Sequence, residues 1–182
     1  MLTPSENTRD TLAPSTGCCP PFEPEAWDGR EMTWQDKPFL KDHVTCLFHV
    51  PLNMGRRVAK DSVLIEAADA DTDRPLLLSD DESPWGADIY IEVKKAVPGA
   101  TMAKLSGTFL TKVFEGPYRN AGQWVTEMEQ YVARQGRTLD RIFFGYTVCP
   151  KCAKAYGKNY VVLFARLKEL VRPYRKALST SI

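Results

Sequence analysis

The stretch SGTFLTKVFEGPYRNAGQWVTEMEQYVARQG, residues 106–136, carries the clearest signals of the fold. Its first part, residues 106–114, is rich in Thr, Phe and Val, residue types that favour a β-strand. The sequence Glu-Gly-Pro-Tyr follows at residues 115–118, where Gly and Pro together predict a turn. The stretch therefore begins as a strand that stops just before Glu115.

Residues 120–135 of the same stretch predict an amphipathic helix. Asn120 is a good N-cap, and Gln123 stands three residues later, as in a capping box. Apolar residues follow at helical spacing, and Gly136 is typical of the position just after a helix. The apolar stripe consists of Trp124, Val125, Met128, Tyr131 and Val132.

The same order of elements is found on both sides of this stretch. The chain from residue 44 reads β-α-β-β twice, which predicts an α+β domain at residues 44–168, in which two such units join through their sheets around a ligand groove. The remaining predicted elements are strands at 44–50, 75–79, 87–93, 141–147 and 160–167 and a helix within 53–70.

The two ends of the chain differ from this domain. Residues 1–16 are polar and turn-forming and predict a disordered tail. Residues 17–43 predict an arm that wraps over the domain, because four prolines argue against a helix or a central strand while several aromatic residues could anchor it. Residues 169–182 predict a C-terminal tail.

The composition is that of an ordinary globular protein. The chain has 182 residues with 24 Lys and Arg against 23 Asp and Glu, and 43% of its residues are hydrophobic. No apolar run approaches the roughly 20 residues of a membrane span, and the N-terminus lacks the apolar segment of a signal peptide. Five cysteines, an odd number, then favour a reducing, cytoplasmic setting with no membrane partner.

The charge is concentrated at the C-terminal end, where residues 134–182 carry eleven basic and two acidic residues. A basic third of a protein can bind nucleic acid, but more often it is a solvated face. Only Arg175 and Lys176 are adjacent, and the helix at 120–135 is no recognition helix because its acidic residues outnumber the basic ones. We therefore expect no nucleic-acid partner, and the sequence leaves open a monomer or a homodimer.

Two of the cysteines form the motif Cys149-Pro150-Lys151-Cys152. Such a CxxC is a redox pair or half of a zinc site. A strand is predicted soon after it, which argues against a thioredoxin-like redox site. Cys18 or Cys19 could complete a zinc site together with a histidine, and the alternative is reduced, packed thiols. We expect the second, with no metal and no other cofactor.

Several catalytic motifs are missing from the sequence. There is no GxSxG, which disfavours an acyl-enzyme triad, and there is neither a GxGxxG nor a Walker motif to hold a nucleotide. His49 alternates with Leu47 in the predicted strand at 44–50, where a lone histidine is more often structural than catalytic.

Aromatic residues outside the regular elements, together with Glu115, suggest a binding slot. Such aromatics favour a slot for a flat, apolar ligand. A carboxylate beside it loses solvation, which raises its pKa toward the range of a general base. The alternative is that Glu115 is a charge stabilised by the N-terminus of the following helix, and both interpretations stay open.

Long motifs in residues 18–168 resemble one bacterial branch of the GyrI-like small-molecule-binding superfamily, the cyclopropanoid cyclopropyl hydrolases. The superfamily's fold, two β-α-β-β units around a groove, agrees with the predicted order of elements. Many members that only bind ligands carry a glutamate in the last strand for cationic ligands, whereas here that strand reads YVVLFARL and leaves Glu115 as the best acid. The motifs are CCPPFEPEAWDG, TWQDKPF, HVPLN, SGTFLTKVFEGPY and CPKCAKAYGKNYVV.

The resemblance implies a hydrolase that opens the spirocyclopropane ring of DNA-alkylating antibiotics of the duocarmycin and yatakemycin type, for self-resistance or detoxification. The substrate would be a planar aromatic small molecule, Glu115 the base that activates water, and Tyr146 or Tyr118 the donor to the carbonyl oxygen. A protein that only sequesters the drug is the alternative. The predicted substrate-binding residues are Trp124, Trp85, Trp27 and Phe22, with His49 as another carbonyl donor.

Overall fold

The computed structural model describes residues 19–169. Within this range the chain forms seven strands and three α-helices, in an order that confirms the predicted α+β class. In chain order they are β1 (Glu31–Leu47), β2 (Val50–Pro51), α1 (Met54–Ala67), β3 (Leu77–Ser83), β4 (Gly86–Glu92), β5 (Thr101–Glu115), α2 (Ala121–Arg134), β6 (Leu139–Tyr146), α3 (Pro150–Tyr156) and β7 (Tyr160–Leu167).

Six of these strands close into a ring. The antiparallel order β1-β4-β3-β6-β7-β5 returns to β1, because β1 pairs with β4 along one edge and with β5 along the other. The short β2 pairs only with the end of β1. The units β1-α1-β3-β4 and β5-α2-β6-β7 are therefore the two predicted β-α-β-β units, joined through their sheets as a small barrel.

One cluster of apolar side chains fills the interior of the ring. It draws residues from all six strands, and only side chains on the inner face of a closed sheet can meet in this way. The inner residues are mostly aromatic and fully buried, including Phe39, Phe109, Phe143 and Phe164. The outer face is covered by the helices: α2 packs on the second unit through Trp124, Met128 and Val132, and α1 packs on the first through Ile65.

The first strand corrects the prediction that residues 17–43 form a wrapping arm in which four prolines exclude a central strand. β1 starts at Glu31 and pairs with β5 from there on. A bulge between Trp34 and Lys37, with Asp36 at φ +49°, separates two registers of this pairing. Pro38 precedes the first pair between β1 and β4, so its missing N–H interrupts no bond to β4. Residues 19–30, here called the N-terminal segment, stay outside the barrel strands and contain a 3₁₀ turn at Pro24–Ala26.

Three other boundaries differ from the predictions. β1 ends at Leu47, and Phe48 and His49 form a two-residue hairpin turn with positive φ values of 49° and 65°, so His49 is not in a strand. β3 continues through Ser83, whereas the predicted strand ends at residue 79. The loop after Cys149 contains α3. This helix begins at Pro150 and ends before Gly157, which has a φ of +68°.

The helix predicted at residues 120–135 is confirmed as α2, with one local difference. A 3₁₀ turn at Tyr118–Asn120 leads directly into α2, and the Asn120 side chain makes no capping hydrogen bond. Within residues 19–169, no helix has the length and apolar character needed to cross a bilayer. The predictions for residues 1–16, and for the C-terminal tail beyond residue 169, lie outside the described residues.

Candidate functional site

The barrel has two ends, and the best candidate for the reacting groups lies at one of them. At this end, here called the Glu115 end, β5 and β6 finish and β7 and β3 begin. The register pairs Glu115 with Tyr160, and it places Tyr146 between Val161 and Leu77. Glu115, Tyr146 and the turn that carries Tyr118 therefore lie at the same end of the sheet, with β7 between Glu115 and Tyr146. Glu115 continues the alternation of Val113 on the inner face, whereas Tyr118 and Tyr146 pack on the cluster under α2.

Glu115 is the last residue of β5, and its side chain is exposed to solvent. Gly116 follows at φ +138°, a conformation that favours glycine, and Asn159 holds it on both sides. The Gly116 N–H donates to the Asn159 carbonyl at 3.0 Å, and the Asn159 Nδ2 donates to the Gly116 carbonyl at 2.8 Å. These two bonds fix the direction in which the chain leaves Glu115.

A lysine contributes positive charge beside this carboxylate. The Nζ of Lys158 lies 3.2 Å from the hydroxyl of Tyr160, the register partner of Glu115. The pKa of Lys158 is raised mainly by that hydrogen bond, and to a smaller extent by the charges of Tyr160 and Glu115. Lys158 is therefore a cation throughout the neutral range, at the edge of the candidate site.

Tyr118 and Tyr146 form a pair of half-buried phenols. Their hydroxyl oxygens are 3.4 Å apart, and their ring centroids are 6.1 Å apart at an interplanar angle of 31°. The ring of Tyr118 also lies 5.9 Å from that of Phe144, which ties the pair to the cluster under α2. Two hydroxyls so close together can donate hydrogen bonds to one shared oxygen atom.

Trp124 lies beneath this pair and is part of the core. Its side chain is only 4% exposed, and its ring stacks on Phe114 at 5.8 Å and 25°. Little of its surface is therefore available to a ligand. Its position supports the turn at Gly116, where an added Cβ would come within 3.6 Å of the Trp124 ring.

Phe22 and Trp27 reach the same end of the barrel from the N-terminal segment. Phe22 lies 5.6 Å from the ring of Tyr160, and Trp27 packs edge-on against Phe164 at 5.9 Å. The hydroxyl of the fully buried Thr111 donates to the Trp27 carbonyl at 2.5 Å, and the N–H of Val113 donates to the Asp28 carboxylate at 2.9 Å. The segment thus covers the interior aromatics next to Glu115.

Trp85 and His49 lie at the opposite end of the barrel, so the structure does not bring them to Glu115. Leu77, at the start of β3, pairs with Tyr146 at the Glu115 end. Trp85 follows Ser83, the last residue of β3, which is six residues or about 20 Å from Leu77 along the strand. The His49 N–H donates to the Pro84 carbonyl beside Trp85. Trp85 is 60% exposed and packs on Phe48 at 5.4 Å. The predicted set of ligand-binding aromatics is therefore divided between two places.

That second end, the Trp85 end, is charged on its inner side. The Asp88 carboxylate accepts from Lys41 at 2.7 Å and lies 2.9 Å from the Nδ1 of His43. Burial acts to raise the pKa of Asp88, but the hydrogen bonds from Lys41 and His43 outweigh it and leave this pKa lowered. Arg141 pairs with the buried Asp80 at 2.7 Å in the same way. These are ion pairs that hold strands together, and the positive and negative groups offset one another.

Sequence reasoning missed Tyr160, Asn159 and the role of Glu92. Alternation from Phe164 through Val162 would have placed Tyr160 on the inner face of the sheet. Nothing else in the sequence distinguishes Tyr160 from an ordinary strand residue. Glu92, the last residue of β4, pairs with Lys37 and accepts from the Leu76 N–H at 3.2 Å. It is therefore a structural group. Two surface grooves, one beside Arg57 on α1 and one beside Arg166, lie away from the predicted site residues.

The chain is similar to known proteins over most of its length. No curated protein gives a significant match to the sequence. A solved structure, that of SAV2435 bound to tetraphenylphosphonium, is 12% identical over 78% of this chain and 94% of that chain, with a TM-score of 0.49. Residues 9–167 match the family model described as "Bacterial hydrolase". Because this match covers well over half of the chain, the protein belongs to that bacterial hydrolase family.

Proposed function

We propose that this hydrolase opens the spirocyclopropane ring of planar, DNA-alkylating antibiotics by adding water, and so serves in self-resistance or detoxification. The substrate class comes from the resemblance to the GyrI-like cyclopropanoid cyclopropyl hydrolases, and membership of a hydrolase family supports the reaction type. The single observation that carries the assignment is the Tyr118–Tyr146 hydroxyl pair at the same end of the barrel as Glu115.

The substrate would lie flat at the Glu115 end of the barrel. Phe22 and Tyr160 present rings there that are only partly buried, and Trp27 continues the aromatic surface. Stacking on each well-placed ring would contribute on the order of 1 kcal/mol beyond the burial of apolar surface. Trp124 would act from behind, by holding Tyr118 and the Gly116 turn in place.

The reaction would use groups that the chain itself supplies. The Glu115 carboxylate takes a proton from water while the water oxygen bonds to the unhindered CH₂ of the cyclopropane. The bond between that carbon and the spiro carbon breaks, and its electron pair moves into the conjugated dienone to form a phenolate. Tyr118 and Tyr146 would donate hydrogen bonds to that oxygen as its negative charge grows. Return of the proton gives a phenol, so the product is the substrate plus one water.

Mass spectrometry of a spirocyclopropane compound incubated with substoichiometric protein tests this proposal. We expect full conversion to a product heavier by one water. Glu115→Gln should slow turnover by about 10²–10⁴-fold, the usual contribution of a general base. Because Glu115 is exposed, the substitution should leave the melting temperature unchanged.

The matched control is Glu129→Gln, which changes an exposed glutamate on α2 and should keep full turnover. Recovery of intact compound, depleted only in proportion to the protein added, would overturn catalysis and indicate a protein that sequesters the drug. Wild-type turnover by Glu115→Gln would overturn the choice of base alone.

A further inference from the structure

We propose that Cys19, Cys149 and Cys152 bind a zinc ion that fastens the N-terminal segment to the barrel. The three Sγ atoms all lie within 4.8 Å of one another. Cys149 and Cys152 belong to one short motif, but Cys19 comes from the other end of the sequence. The fold thus brings a third thiol to a CxxC, which by itself supplies only half of a site.

The local structure presents the three sulfur atoms as a group. Cys149 immediately precedes α3 and Cys152 lies in its first turn, so one helical turn places both thiols on the same side. The N–H of Cys149 donates to the Sγ of Cys19 at 3.4 Å. Cys152 is fully buried, and the other two are half-buried. A polar N–H directed at sulfur is an interaction that a metal-bound thiolate, with its negative charge, favours.

The spacing of the sulfur atoms suits zinc. Tetrahedral zinc binds thiolates at about 2.3 Å, which places neighbouring sulfur atoms about 3.8 Å apart, so the observed triangle needs a contraction of at most about 1 Å. Thiolates are soft ligands that select zinc over magnesium or calcium. Within the described residues no histidine joins the cluster. Water would be the fourth ligand.

A metal at this position would organise the cover of the Glu115 end. The Tyr156 hydroxyl on α3 already donates to the carbonyl of Cys19. Phe22, three residues further along, packs on Tyr160 at the barrel end. A bond from zinc to Cys19 would therefore hold the start of a segment whose aromatic residues cover the barrel interior. The role is structural and does not rest on the proposed reaction.

Metal analysis of the full-length protein tests the assignment. We expect about one zinc per chain after purification from zinc-containing medium. Replacement with Co²⁺ should give the intense visible bands and the sulfur-to-metal charge-transfer band of a tetrahedral thiolate site. Cys19→Ala, Cys149→Ala and Cys152→Ala should each lower zinc at least tenfold. Cys46→Ala is the matched control, since Cys46 is buried in a separate cluster, and it should keep the full zinc content.

Limited proteolysis of the wild-type protein tests the fastening without any substitution. Removal of zinc by a chelator should speed cleavage within residues 20–30 at least fivefold, while added zinc restores protection and the barrel stays folded by circular dichroism. Less than a tenth of a zinc per chain, zinc content unaffected by the three substitutions, or a Cys149–Cys152 disulfide in protein prepared under reducing conditions would overturn the proposal. None of these readouts depends on catalytic activity.

Discussion

The hydroxyl oxygens of Tyr118 and Tyr146 lie 3.4 Å apart, although the two residues belong to different elements, a 3₁₀ turn and the end of β6. Both rings pack against the buried cluster under α2, which Tyr118 meets through the ring of Phe144. The Tyr146 hydroxyl donates to the Tyr118 hydroxyl, so the two phenols meet at one point, as the proposed donation to a developing oxyanion requires.

Removing either hydroxyl of this pair should slow the proposed hydrolysis without weakening substrate binding. Tyr118→Phe and Tyr146→Phe should each lower kcat by about 10²-fold, the usual effect of losing one oxyanion donor, while KM changes little. Tyr131→Phe is the control, because Tyr131 packs on the same cluster from α2. Equal, small effects of all three variants on kcat would contradict the donor role.

The hydrogen bond from Thr111 to Trp27 should hold the N-terminal segment on the barrel. Thr111→Val keeps the shape of the side chain but removes the hydroxyl that donates to the carbonyls of Trp27 and Arg30. We expect the free energy of unfolding to fall by about 1–3 kcal/mol, the penalty of a buried acceptor that loses its donor. Urea denaturation measures this change.

The control for this change is Thr126→Val, at an exposed position on α2 where the hydroxyl bonds only to the preceding turn of its own helix. It should change stability by less than about 0.5 kcal/mol. Similar losses in both variants would show that Thr111 has no special role in holding the segment.

Gly145 should tolerate no side chain, because β6 and β7 approach closely there. A Cβ at this position would lie 2.6 Å from the ring of Phe164 and 3.2 Å from the Val162 carbonyl. Phe164 is fully buried in the barrel interior, so Gly145→Ala should lower the free energy of unfolding by about 1–3 kcal/mol. Denaturant titration measures the loss.

Gly122→Ala is the opposite case and serves as the comparison. Gly122 is exposed in the first turn of α2, and nothing lies within 4 Å of an added Cβ. Alanine has the higher helix propensity, so this variant should gain up to about 1 kcal/mol. A loss of stability in both variants would contradict the steric explanation for Gly145.

Asp61 should make the protein less stable as the pH rises from 4 to 6. Burial, followed by the nearby charge of Asp42, raises the pKa of Asp61 to about 6. Among the residues that the structure describes, none makes a hydrogen bond to the buried Oδ2 of its carboxylate. Between its unfolded pKa near 4 and its folded pKa, the folded state binds the proton that the unfolded state has lost. The free energy of unfolding therefore decreases across this window and stays lower above it.

Asp61→Asn should remove this dependence. At pH 7 we expect it to raise the free energy of unfolding by up to about 3 kcal/mol, from 1.36 kcal/mol for each pKa unit, with little effect at pH 4. Asp73→Asn, at an exposed position, should leave the pH profile unchanged. Thermal unfolding at a series of pH values measures both, and a gain from Asp61→Asn that is equal at pH 4 and pH 7 would exclude the titration.

The strands and helices were predictable where their own periodicity marks them. The stripe from Trp124 to Val132 places α2, and the strands β6 and β7 lie within two residues of the predicted ranges. The start of β1 was not predictable in this way. Pro38 lies just before the first residue pair between β1 and β4, and the bulge at Asp36 separates two registers of the pairing with β5. The position of the proline and that of the bulge therefore depend on strands that are distant in sequence.

The candidate site was predictable only in part, for the same reason. Glu115, Tyr118 and Tyr146 follow strand ends that antiparallel pairing brings to one edge, and they do lie at the same end of the barrel. Trp85 also follows a strand, but that strand runs the other way and carries it to the far end. An aromatic residue in a turn does not reveal which end of a sheet that turn occupies.

Local sequence patterns predict the α+β class, the two β-α-β-β units and the burial face of α2, because hydrophobic periodicity and turn residues act over a few neighbouring positions. Three contacts become visible in the folded chain alone: β1 pairs with β5 to close the ring, Tyr118 meets Tyr146, and Cys19 reaches Cys149 and Cys152. Each of these contacts depends on which strands pair and on how far the chain turns between them. Local patterns carry no information about that choice, since any strand with an apolar face can pack against any other.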